Sequence, residues 1–97
     1  MKPVWLAAGL IAGMVVAQHA QAQDGAALAT SKGCTNCHAV DQKKVGPAFK
    51  DIAAKYAGNA DAESTLIAKL KDGKGHMKIA ASDADLKTVV DYVLATH

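Results

Sequence analysis

The chain has 97 residues, 51% of them hydrophobic and 4% aromatic, with eleven lysines, no arginine and nine acids for a formal charge of +2. Such a length makes one small domain. With no basic block and few rings to stack on bases, nucleic-acid binding gets little support.

The first 23 residues, MKPVWLAAGLIAGMVVAQHAQAQ, carry one charge, at Lys2. An apolar run from about 4 to 17 follows, and Ala20-Gln21-Ala22 is a small-x-small triplet. A positive start, a short apolar core and a small-residue exit predict a secretory signal peptide over 1–22, cleaved after Ala22. The rival is a membrane anchor, but the run is shorter than the roughly 18 apolar residues a span needs. The expected mature domain is 23–97, without His19 and without stable membrane insertion. A core of this size is marginal alone, so a staple of some kind is expected. Export permits disulfides.

Four helical segments and no strand are predicted. The first is alanine-rich, from Asp24 as its cap to Lys32, with Gly33 as its end. The second begins after Gly46 with Pro47 near its first turn. Phe49, Ile52, Ala53 and Tyr56 give it a helical stripe, and Gly58-Asn59 ends it. The third runs from about 60 or 61 to Lys71, burying Leu66, Ile67 and Leu70, with Gly73 as its stop. In the fourth, Ser82-Asp83-Ala84-Asp85 resembles a capping box with Asp in place of Glu. Leu86, Val89, Val90, Val93 and Leu94 then repeat at helical spacing. Two stretches, 39–46 and 73–81, are expected as loops.

The chemistry concentrates in GCTNCHAV at 33–40. On a helical turn Cys34 and Cys37 point the same way, and His38 is four residues from Cys34. A disulfide between them would close a very short loop and barely restrict the unfolded chain. A thioredoxin-like couple needs a βαβ setting. Tetrahedral zinc needs four ligands, and this turn offers three with no second cysteine pair in the chain. CxxCH is the attachment signature of a c-type haem. Two thiols on one helical face can add to the two vinyl groups on one side of a porphyrin, and the next residue sets an imidazole under the iron. The covalent haem would also be the missing staple.

Together, KGCTNCHAV at 32–40, VGPAFKDIAAKYA at 45–57, LIAKLKDG at 66–73 and SDADLKTVVDYVLA at 82–95 resemble a small bacterial class I c-type cytochrome, the short periplasmic one-haem type. The resemblance covers nearly all of 24–96. It implies an all-α fold of about four helices wrapped around one covalently bound haem, the N- and C-terminal helices crossing near the attachment site. It assigns the thioethers to Cys34 and Cys37 and the proximal iron ligand to His38. Pro47 matches the proline whose carbonyl accepts the proton on the other nitrogen of that histidine, a bond that fixes the ring and tunes it. Tyr92 matches an aromatic of the last helix that packs on the first.

The family completes the iron with a methionine in the loop before the last helix. Met77 is the only methionine outside the leader and lies in that loop, so it is the expected sixth ligand. The family's loop is commonly longer, with a tryptophan and a proline-rich MPP stretch, and GKGHMKIAAS has neither. The adjacent His76 is the second candidate for the sixth position, and His97 is expected to fray at the chain end.

The resemblance implies a periplasmic one-electron carrier rather than an enzyme. A thioether ligand favours reduced iron. Transient redox proteins are the expected partners, and a monomer is expected. Lys32, Lys43, Lys44, Lys74 and Lys78 could rim the haem edge and steer an acidic partner. The alternative is a haem domain with a labile or open sixth site, binding gases or acting as a weak peroxidase.

Overall fold

The computed structural model describes residues 20–97, so nearly all of the expected leader lies outside the described residues. Within them are four α-helices: α1 (Ala20–Ser31), α2 (Phe49–Lys55), α3 (Ala62–Asp72) and α4 (Asp83–Leu94). A single 3-10 turn, Cys34–Asn36, follows α1. No strand occurs among the described residues.

The last helix is the hub, with α1, α2 and α3 all packed on it. Of its predicted stripe, Leu86, Val89, Val90 and Val93 are under one-tenth exposed, while Leu94 is half-buried. Ser82 caps it, its Oγ accepting from the Asp85 N–H at 3.1 Å. Asp83 and Asp85 sit in the first turn, where the helix dipole favours acids.

Two predicted starts move. Asp24 was expected to cap α1, but the helix runs back to Ala20, so Asp24 lies inside it. The Ala-Gln-Ala-Gln stretch before it is itself a good helix former, and an Asp does not interrupt it. Pro47 lies outside α2, which begins at Phe49. There the first amides of the helix are drawn outward: Phe49 N–H donates to Ala39 O at 2.8 Å and Lys50 N–H to Val40 O at 3.1 Å. These bonds supply partners that a helix start otherwise lacks.

Gly25 explains how closely α1 and α4 cross. A Cβ there would lie 2.5 Å from the Tyr92 Cβ and 3.2 Å from the Thr88 carbonyl oxygen. Tyr92 thus packs on the first helix, as expected, and meets Phe49 edge-on with ring centres 6.0 Å apart. Among the large side chains of the described residues only Leu86 is fully buried, while Ile52, Tyr56, Leu66 and Leu70 remain half-buried. Their exposed sides all face one cavity.

Candidate functional site

The cavity holds about 650 Å³, within the roughly 300–1,000 Å³ range of cofactor sites. Phe49, Ile52 and Tyr56 line it from α2, Leu66 and Leu70 from α3, and Val89, Val90 and Val93 from α4. At its rim lie Cys34, Cys37 and His38 on one side and His76, Met77 and Ile79 on the other.

The Cys34–His38 turn is held by its own backbone. Cys37 N–H and His38 N–H both donate to Cys34 O, at 3.2 and 3.0 Å. Both cysteines are half-buried, and their sulfurs are not bridged. Burial pushes the Cys34 thiol up from its ordinary value, only partly opposed by a hydrogen bond to the backbone. The group is therefore a neutral thiol at neutral pH rather than a reactive thiolate.

The loop after this turn folds back to meet His38. Gly46 N–H donates to Cys37 O at 2.7 Å, which brings the next residue, Pro47, beside the imidazole. His38 Nδ1 lies 2.6 Å from Pro47 O. A carbonyl only accepts, so Nδ1 carries a proton, and in the neutral ring it is Nε2 that presents the lone pair. Phe49 lies against the same ring, with centres 5.4 Å apart and planes 24° apart. A Cβ on Gly46 would come within 2.5 Å of His38 Cε1 and 2.9 Å of Nδ1. His38 is thus held by a carbonyl, an aromatic ring and a backbone face. The family resemblance carried by VGPAF implies the first of these, through Pro47. It gives no direct sign of the other two, which depend on the return path of the loop.

The opposite rim is built by the loop 73–81. Ile79 N–H donates to Leu70 O at 2.8 Å, pinning the loop back on α3. Gly75 has φ +74°, a backbone that side chains other than glycine rarely adopt, and it turns the chain just before His76. His76 is half-buried, and its ring lies parallel to that of His38, at 4° with centres 6.1 Å apart. Its Nδ1 lies 2.7 Å from Met77 O and must donate the proton, leaving its Nε2 free as well. Met77 lines the same cavity, yet it is 68% exposed.

The donor set suits a haem. Two thiols share one edge, an imidazole is fixed in the tautomer that ligates through Nε2, and the walls are apolar. Among the described residues no helix is long and apolar enough to cross a membrane.

Comparison with known proteins agrees with this chemistry. The family model "Cytochrome c" matches residues 22–97. Cytochrome c-551 of Pseudomonas aeruginosa is 43% identical, the match covering 98% of each chain. Cytochrome c-552 of Nitrosomonas europaea is 41% identical, with 97% of each chain covered. The solved structure of the class 1 cytochrome MtoD from Sideroxydans lithotrophicus ES-1 superposes with a TM-score of 0.70 at 35% identity, covering 76% of this chain and 94% of that one. The crystal structure of wild-type N. europaea cytochrome c552 gives 0.66 at 42% identity, covering 74% and 99%. The cofactor of such proteins is one covalently attached haem c, and their work is electron transfer. The chain therefore belongs to the cytochrome c family, as a small class I cytochrome with the cytochrome c fold.

Proposed function

We propose that this chain is a periplasmic one-electron carrier, not an enzyme, and that Cys34 and Cys37 bind the haem through thioethers while His38 ligates its iron. The haem supplies reversible one-electron chemistry between ferric and ferrous iron. The protein's part is to hold, orient and insulate it. The observation that carries the reading is the 2.6 Å bond from His38 Nδ1 to Pro47 O, at a CxxCH turn on the rim of an apolar cavity. A ligating histidine typically donates its other ring proton in this way, which fixes the ring and raises its basicity.

Export through a cleaved 1–22 leader is part of the same proposal. Its support is the leader's composition, together with a family match that begins at residue 22, next to the expected cleavage point. The sixth ligand comes from the loop 73–81, where His76 and Met77 are adjacent on the cavity rim. With His38 on one side and a ligand from this loop on the other, the iron would have no place for a substrate, and the chemistry it supplied would be one-electron exchange.

The test is expression of the full chain in a host that attaches c-type haems. The periplasmic fraction is expected to contain a red protein beginning at Gln23, with a Soret band that survives denaturation and acid-acetone extraction. Cys34→Ser and Cys37→Ser should each shift the alkaline pyridine spectrum to that of a single thioether. Haem extractable from the wild type would defeat the proposal. Carbon monoxide binding by the reduced wild type would favour the open-site reading, with gas binding or weak peroxidase activity.

A further inference from the structure

We propose that the haem iron is held between two imidazoles, His38 from the attachment turn and His76 from the loop before α4, with Met77 left at the surface. The proposal rests on the haem reading above and adds the identity of the ligand trans to His38.

The spacing of the rings is the first ground. Metal–imidazole nitrogen bonds run about 2.0–2.1 Å for zinc, and adding roughly 1.1 Å from each nitrogen to its ring centre puts two trans imidazoles about 6.2–6.4 Å apart. The His38 and His76 centres are 6.1 Å apart. Two imidazoles bound trans in one plane have parallel rings, and these lie within 4° of parallel. One metal ion bound by both Nε2 atoms would account for this spacing.

Proton placement is the second ground. Each Nδ1 is committed to a backbone carbonyl, His38 to Pro47 at 2.6 Å and His76 to Met77 at 2.7 Å. Both rings are therefore in the same tautomer, with Nε2 unprotonated. Ligating histidines commonly have their second nitrogen engaged in this way, and here the two are matched across one cavity. Nothing of the kind is needed of a solvated loop histidine.

Met77 itself is the third ground. A thioether that binds iron is drawn into the apolar site, whereas Met77 is 68% exposed and His76 is half-buried. What Met77 contributes is its carbonyl, the acceptor that orients His76. The short loop explains the exchange. Ile79 is tied to Leu70 O, and Gly75 turns the chain immediately before His76. No proline follows Met77 to stiffen the backbone and hold its sulfur inward.

The experiment uses the full chain matured with its haem, compared as wild type, Met77→Ala, His76→Ala and His76→Met. Ferric absorption, low-temperature electron paramagnetic resonance and reduction potential are recorded. The expected wild type is low-spin, lacks the weak far-red band of a methionine–iron bond, and binds no carbon monoxide when reduced. Met77→Ala should leave all three properties unchanged. His76→Ala should turn high-spin and bind carbon monoxide, and added imidazole should restore the low-spin spectrum. His76→Met should gain the far-red band and a higher potential, as methionine ligation raises it. A far-red band in the wild type that Met77→Ala abolishes overturns the proposal. So does a His76→Ala protein that stays low-spin, which would make the two rings a packed aromatic pair. If His76→Ala fails to mature, the wild type and Met77→Ala decide the matter alone. A wild type with no Soret band overturns the underlying haem reading, and is thereby distinguished from failure of this ligand assignment.

Discussion

His38 shows how much of this site depends on single contacts. Its ring is squeezed between the Pro47 carbonyl, the Phe49 ring and the backbone of Gly46. The Gly46 contact is the sharpest: a methyl group there would sit 2.5 Å from His38 Cε1. Neither side can retreat freely, because Gly46 N–H is tied to Cys37 O and His38 Nδ1 to Pro47 O. Gly46→Ala is therefore expected to destabilise the protein by about 1–3 kcal/mol, the usual range for overpacking. A denaturation curve should show a lower midpoint at unchanged slope, and the ferric spectrum should gain high-spin character as the ring is pushed off its axis. An unchanged midpoint and spectrum would mean the loop 39–46 is soft enough to absorb the methyl. At this scale the Cys34–His38 turn stands out in the chain, because CxxCH is a contiguous pattern with its own chemistry. Gly46 could not, because its partner is set by a backbone bond closing a loop, and no local pattern encodes the path. Met77 and His76 mark the same limit. Adjacency put both in one loop, but that His76 is half-buried and Met77 exposed follows from the backbone at Gly75 and the tie from Ile79 to Leu70.

Among the elements, α4 was the most legible, since its valines and leucines repeat at 3.6 residues and its start carries a cap. That cap can be tested by itself. Ser82 Oγ accepts from Asp85 N–H, while Asp83 pairs with Lys71 at 3.0 Å across the exposed surface. Exposed pairs of this kind contribute about 0–1 kcal/mol. The cap is worth about 1 kcal/mol by comparison with Ser→Ala at other N-caps. Ser82→Ala should thus cost about 1 kcal/mol in thermal or denaturant unfolding, Ser82→Asp should recover most of it, and the haem spectrum should stay the same. A spectral change would show that the start of α4 also sets the position of the loop 73–81. The start of α2 was less legible for a physical reason. Pro47 is a good first-turn residue, but the amides of Phe49 and Lys50 are claimed by Ala39 and Val40, and those tertiary bonds delay the helix by two residues. The same delay leaves the Pro47 carbonyl outside the helix and free to accept from His38.

For the molecule as a whole, charge and cofactor each make a prediction. Lys43 lies in the loop after His38 and Lys78 in the loop that carries His76, the two histidine rings being 6.1 Å apart, and both lysines are exposed. Lys44 is exposed too, but its Nζ donates to Thr35 O at 3.0 Å, which holds its charge near the attachment turn. Charge reversal at Lys43, Lys44 and Lys78 together should slow electron exchange with an acidic redox protein at low ionic strength. The gap from wild type should close as salt shortens the screening length to about 10 Å at 0.1 M. A rate insensitive to the reversals at low salt would remove these lysines from any docking role. The cofactor prediction follows from the size of the cavity. The walls of α2, α3 and α4 meet around about 650 Å³ rather than around one another. Without a cofactor, these apolar walls would lie open to water. Domains are stable by only about 5–15 kcal/mol in total. A Cys34→Ala, Cys37→Ala double variant freed of haem should therefore lose most of its helical circular dichroism and its cooperative melt. Adding back free haem should restore part of the helix through His38 and the apolar walls, with a midpoint below that of the covalent protein. A cooperative melt in the haem-free variant would show instead that α1 and α4, crossing at Gly25, form a core sufficient without the cofactor.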